Sequence, residues 1–388
     1  MKMKKVIYLD NNATTPLHPE VLKTMLPCFN EKYGNASSIH FEGRQAKKAL
    51  EESRGIIGDA LGTESVDIIF TSGGTESDNF AIKGVAFANR DKGDHIITSS
   101  FEHLAVLSTC KYLETQGFKV TFLPVDKYGV VDLEALKDAI TSKTVLVSIM
   151  HSNNEVGTIQ PIAEIAKILK GKGIYFHTDA VQSFGKVPLN VEELGVDLLS
   201  ISAHKIYGPK GVGALYIRKG VKIDPFHHGG HHERNLRAGT ENVPGLVGFA
   251  RAAEIVKRHM KDESERIRNL RDMLHKGLTD KLDKIYLNGH PTNRLPGTLN
   301  LSFEGVEGES LLINFDLKGI CASTGSACTA GSTEPSHVLM AMKVDPQLAQ
   351  GSVRFSLGTF NTKEEISYCL EEIPKIVKRL REISPLSK

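Results

Sequence analysis

Between residues 67 and 217, short β-branched or apolar runs alternate with amphipathic stretches, and this alternation narrows the possible folds more than any other feature of the chain. The runs read as strands are Asp67–Thr71, His95–Ser99, Lys119–Leu123, Thr144–Met150, Gly173–His177, Asp197–Ser202 and Gly213–Ile217. Helical patterns lie between several of them. Pro161 suits the first turn of a helix from Ile162 to Leu169, and Gly171 and Gly173 close it. Strands separated by helices pack as a mostly parallel sheet covered on its faces, so the expected class is α/β.

After about Pro244 the pattern changes. A long charged helical tract runs to about Asp283. It is followed by a strand-like Gly297–Phe303, a helix starting near Glu309, a loop rich in Ser, Thr and Gly, and a strand Ser352–Leu357. Thr362 and Glu365 have capping-box spacing and open a final helix. This part reads as a smaller α+β unit.

At 388 residues the chain is too long for one small core. Net charge is +2, from 48 basic and 46 acidic residues, so no charge excess asks for nucleic acid or a membrane surface. No apolar run is long enough to span a bilayer. The basic start Met1-Lys2-Met3-Lys4-Lys5 leads into Val6-Ile7-Tyr8-Leu9, which is too short for a signal sequence and reads as a strand. Five scattered cysteines make no disulfide framework. A cytoplasmic protein is expected.

In open α/β sheets, ligands collect at the carboxyl ends of the strands, and polar residues follow several strands here. Ser72-Gly73-Gly74-Thr75 joins a strand to a helix; free amides beside a hydroxyl there suit a phosphate, although a plain glycine turn fits equally well. Asp179 and Gln182 follow Gly173–His177, and alone Asp179 could be merely structural. Ser202-Ala203-His204-Lys205 ends another strand, and a desolvated lysine there can act as a nucleophilic amine. Lys210, in the turn Gly208-Pro209-Lys210-Gly211, is the weaker competitor. His103, after Ser100-Phe101-Glu102, could stack on a flat ligand or shuttle a proton. His151-Ser152-Asn153-Asn154-Glu155 offers amides to a ligand. Phosphate cradle, strand-end Asp and strand-end Lys together are what pyridoxal phosphate requires: an anchor, a partner for the ring nitrogen, and an amine for covalent attachment.

On these segments the chain resembles the group I cysteine desulfurases, the NifS/IscS-like branch of the class V aminotransferase superfamily. Further motifs carry the resemblance: Tyr8-Leu9-Asp10-Asn11-Asn12-Ala13-Thr14-Thr15-Pro16, Tyr33-Gly34-Asn35-Ala36-Ser37-Ser38, Arg237-Ala238-Gly239-Thr240-Glu241-Asn242, Ser323-Thr324-Gly325-Ser326-Ala327-Cys328 and Val353-Arg354-Phe355-Ser356. The resemblance implies a fold-type I transferase, with a large pyridoxal-phosphate-binding α/β domain (15–258) built on a mostly parallel seven-stranded sheet. Residues 1–14 and 259–388 would form a small α+β domain carrying a catalytic cysteine loop. It also implies site roles. Lys205 attaches the cofactor, Asp179 pairs with its ring nitrogen, Gln182 meets its phenolic oxygen, and His103 stacks on the ring and moves protons. Gly74, Thr75, Ser202 and His204 hold the phosphate, with Thr240 reaching in from the second subunit of a homodimer. Asn154 and Arg354 bind the substrate carboxylate, and Cys328 receives sulfur from L-cysteine. A sulfur-acceptor protein such as an iron–sulfur scaffold, or a carrier for tRNA thiolation, is the implied partner.

The cysteine loop is also intelligible without the family. Small residues around Cys328 leave little apolar surface to pin it down. Cys321 and Cys328 match no zinc spacing, and Cys321 reads as core. His227-His228-Gly229-Gly230-His231-His232 departs from the family's glycine-rich pattern; an interface loop is expected, with a metal site as the alternative. An aminotransferase and a selenocysteine lyase would need the same Lys and Asp. A non-catalytic scaffold would not need them.

Overall fold

The computed structural model describes residues 6–324 and 335–384. In chain order the strands are β1 (Ile7–Tyr8), β2 (Ile68–Thr71), β3 (His95–Ser99), β4 (Lys119–Leu123), β5 (Thr144–Ser148), β6 (Tyr175–Asp179), β7 (Leu198–Ser202), β8 (Gly213–Ile217), β9 (Ile285–Asn288), β10 (Thr298–Phe303), β11 (Ile320–Cys321) and β12 (Ser352–Ser356). Seven form the central sheet in the order β2-β8-β7-β6-β5-β3-β4. Only β8 runs against its neighbours, so the other six deliver their carboxyl ends to one edge. This is the expected α/β architecture. Val, Ile and Leu fill both faces of the sheet because helices cover both.

Two expected strands shift. The β6 strand ends on Asp179 rather than His177, because its pairing with β5 and β7 sets its register, with Asp179 opposite Ser200. The β5 strand stops at Ser148, and Met150, Asn154 and Glu155 beyond it line a cavity at the sheet's carboxyl edge.

The charged tract is one 37-residue helix, Val243–Thr279, capped by Asn242. A second core of Leu, Ile and Phe lies beyond it, built on the antiparallel sheet β12-β10-β9. The amino-terminal β1 pairs in parallel with β11. The final helix, Lys363–Ile383, opens with the Thr362/Glu365 capping box.

Candidate active site

Five parallel strands, β2, β3, β5, β6 and β7, place functional side chains around one cavity of about 360 Å³ at the carboxyl edge of the sheet. After β2, the helix Gly74–Ala88 starts, and its first amides have no partners within the helix. Its helical start is packed closely against its neighbours. A Cβ on Gly74 would lie 2.6 Å from Val181 Cγ2, and one on Gly213 2.7 Å from Gly73 Cα. Thr75 and Ser202 line the same end. The Ser202 hydroxyl is buried with no hydrogen-bond partner, and an anion here would satisfy it.

Asp179 lines the same cavity. Its Oδ1 accepts from Val181 N at 2.9 Å. Burial pushes Asp179 up to about 6, against the pull of the Val181 amide and of Lys205. Lys205 follows β7 in a short 3-10 turn and donates to the carbonyls of Asn12 (2.6 Å) and Ala13 (2.7 Å). Gln182 Nε2 donates to the same Asn12 carbonyl at 2.9 Å. His103 caps the helix Leu104–Thr115, its Nδ1 accepting from Ala105 N, so the ring proton of the neutral form sits on Nε2. Burial, then Lys205 and His337, push His103 down to about 4. Burial, then Lys205 and Lys210, likewise push His204 down to about 4. Both imidazoles are therefore neutral at physiological pH.

Arg354, on β12, reaches the cavity from the other side. It donates to Asn154 O at 3.1 Å and Asp10 Oδ1 at 2.7 Å, and its buried Nε has no partner.

Gly74, Thr75, His103, Asn154, Asp179, Gln182, Ser202, His204, Lys205 and Arg354 all line this one cavity. Thr240 does not: it is exposed and faces a separate cleft beside Phe70 and Arg237. Cys328 lies outside the described residues. Lys210 is exposed at the mouth of the phosphate end. In the histidine-rich loop, His231 bonds to Asn235, and His232 accepts from Gly239 N. Among the described residues no group of three His, Cys, Asp or Glu side chains could hold a metal.

The sequence reading missed Asp78 and His337, which also line the cavity, and Asp10, which pairs with Arg354. Asp78 comes one helical turn after Gly74 and so shares its face, a spacing visible in the sequence. Burial and then neighbouring Asp179 raise it well above the carboxylate range. Its Oδ1 has no hydrogen bond and lies 3.7 Å from His177 Nε2.

Residues 7–369 match the family model for class-V aminotransferases. A cysteine desulfurase IscS from Dictyoglomus turgidum is 57% identical over 383 residues, covering 99% of this chain and 97% of the relative. This chain belongs to the cysteine desulfurase family. Among solved structures, a NifS-like protein superposes with a TM-score of 0.92 at 44% identity, covering 97% of this chain and 100% of the other. SspA in complex with cysteine gives 0.82 at 38% identity, covering 92% and 100%.

Desulfurases of this family use pyridoxal phosphate, and the cavity fits that group. An orphaned Ser202 hydroxyl beside free helix amides suits the phosphate, and a buried carboxylate in the same cavity suits a protonated ring nitrogen. Lys205 lines the same cavity.

Proposed function

We propose that this chain takes sulfur from L-cysteine, leaves L-alanine, and holds the sulfur as a persulfide on Cys328. The observation that carries the reading is one cavity joining Lys205 and Asp179 to a buried guanidinium, Arg354, whose Nε still lacks a partner. A substrate carboxylate would give that Nε an acceptor.

The free first-turn amides after Gly74, with Thr75, Ser202 and His204, would hold the cofactor's phosphate. Asp179 would hold the ring nitrogen, Gln182 the ring oxygen, and His103 would cover one face. When bound, pyridoxal phosphate supplies the electron sink for charge left at the substrate's Cα. Arg354 and Asn154 orient the substrate carboxylate. The Lys205 amine takes the proton from Cα. A cationic ring nitrogen beside Asp179 would pull that carboxyl back down from about 6, so that it stays ionised where it is needed. The Cys328 thiolate then attacks the substrate sulfur. An S–S bond forms and the Cβ–S bond breaks with its electron pair left on carbon. That carbon takes up a proton as the methyl of alanine, and the protonated Lys205 returns a proton to Cα. No external oxidant is required.

A homodimer is part of the proposal. Thr240 faces away from its own cavity, and Leu22, Leu26, Phe29, Tyr33, Ile39 and Phe41 expose apolar surface within one short segment. So are a division into domains at 15–258 and at 1–14 with 259–388, a cytoplasmic setting, and a sulfur-acceptor protein such as an iron–sulfur scaffold. The separate core beyond the long helix supports the division. Among the described residues no helix is long and apolar enough to cross a membrane.

The test is to incubate the holoenzyme with L-cysteine and quantify alanine and sulfide, with and without reductant. Alanine matched by reductant-released sulfide is expected. Cysteine consumed without alanine would overturn the reading. Cys328→Ser should keep the cofactor and form no persulfide, and persulfide mass on a variant that still turns over would remove Cys328 from its role.

A further inference from the structure

Lys186 has no part in the reading above, yet its amine sits behind the cofactor cavity. It comes one turn after Gln182, in a segment tied back by Lys186 N to Ser183 O (3.0 Å) and by Ser264 Oγ of the long helix to Lys186 O (2.8 Å). Lys186 Nζ donates to Gln182 Oε1 at 3.0 Å and to Asn12 Oδ1 at 3.2 Å. A lysine amine facing an amide oxygen fixes which end of the amide is which. Gln182 is only 5% exposed, so without this donor its oxygen would be buried unsatisfied or would turn toward the cavity.

From this geometry we propose that Lys186 is a positioning residue. It holds the Gln182 amide with its nitrogen toward the cavity, as a donor to the cofactor's ring oxygen. The inference rests on the reading that Gln182 meets that oxygen.

The arrangement is consistent on each side. With Oε1 held by Lys186, one Gln182 N–H goes to Asn12 O and a second remains for the cavity. The same Asn12 carbonyl accepts from Lys205. Asn12 is itself held by Nδ2 donating to Thr298 Oγ1 at 2.9 Å and Asn154 O at 3.1 Å. The stem of Lys186 lines a second cavity of about 280 Å³, shared with Lys205, with Arg258, His259, Asp262 and Glu263 around its walls. Burial first, then Lys205 and Arg354, push the Lys186 amine down to about 7. A neutral amine still carries two N–H bonds, one for each amide oxygen, so the hold does not depend on its charge.

The experiment reads the pH midpoint of the holoenzyme's visible cofactor absorbance in wild type, Lys186→Met, Gln182→Ala and the double variant. A donor beside the ring oxygen favours its anionic form, so losing the donor should raise the midpoint. Lys186→Met and Gln182→Ala should each raise it by about one pH unit, tenfold in the proton equilibrium. Lys186→Met should add almost nothing in the Gln182→Ala background. An equal shift in both backgrounds would mean that Lys186 acts through its charge, and the proposal would fall. So would an unmoved midpoint in Lys186→Met while Gln182→Ala shifts it. No shift in Gln182→Ala would instead overturn the placement of Gln182 against the cofactor, and the inference with it. If Lys186→Met does not fold, Lys186→Ala, which opens onto the neighbouring cavity, is read in the same way.

Discussion

Glu233 anchors the segment that carries Thr240, and replacing it with Gln should release that segment without unfolding the domain. Three consecutive non-glycine residues, Glu233 (φ 41°), Arg234 (φ 57°) and Asn235 (φ 64°), are left-handed. Such a conformation costs about 1–2 kcal/mol per residue, so roughly 3–6 kcal/mol in all, with Asn at the low end. What offsets it is buried. Glu233 accepts from Arg54 Nη1 at 2.7 Å and Nη2 at 2.8 Å, and from Phe70 N at 2.8 Å, with both side chains 4% exposed. Removing one partner of a buried pair costs about 3–5 kcal/mol, comparable to the strain it offsets. In Glu233→Gln, amides in 227–242 should therefore exchange hydrogen faster by about 100-fold, roughly 3 kcal/mol at tenfold per 1.4 kcal/mol. Peptides from β5 to β7 should keep their protection. Arg54→Met with Glu233→Met should recover much of the loss, because the buried guanidinium, which in Glu233→Gln keeps only the half-exposed Glu51 at 3.2 Å, is then removed with its partner. Unchanged exchange in 227–242, or a double variant as open as the single, would refute the reasoning.

Three further outcomes are expected. Asp179 lies above its ordinary value in the apoprotein, so its contribution to stability is full below the usual carboxylate range and is lost as pH rises through about 6. Apo Asp179→Asn should therefore be more stable than apo wild type at pH 8, by about 3 kcal/mol at 1.36 kcal/mol per pH unit, with the gap closing near pH 4 in urea titrations. As holoenzyme the same variant should lose at least about 100-fold in alanine formation, because the ring nitrogen has lost its charged partner; activity near wild type would remove Asp179 from its role. Arg354→Lys, which cannot form a fork with a carboxylate, should raise KM for L-cysteine about tenfold or more with the cofactor spectrum unchanged, and an unchanged KM would place the carboxylate elsewhere.

Much of the cavity was legible because strand ends are legible. Lys205 and Asp179 stood out as polar residues closing apolar runs, and the sheet brings both to one edge. Gly74 and Thr75 stood out because a strand, a glycine pair and a helix follow in sequence. The ends of β5 and β6 were misplaced by two residues each, since register comes from pairing with neighbouring strands rather than from local composition. Asp78 was within reach of helical spacing but lacked any local sign of burial.

The class of fold and the chemistry on offer can be read along the chain, because hydrophobic period and strand-end residue types are local properties. Tertiary structure alone decided the partnerships: Arg54 with Glu233 across 179 residues, Arg354 with Asp10 across 344, and Lys186 behind Gln182 at the wall of the cavity. Charges and amides find such partners only when packing brings distant segments together and excludes water from between them. No local pattern along the chain encodes that event.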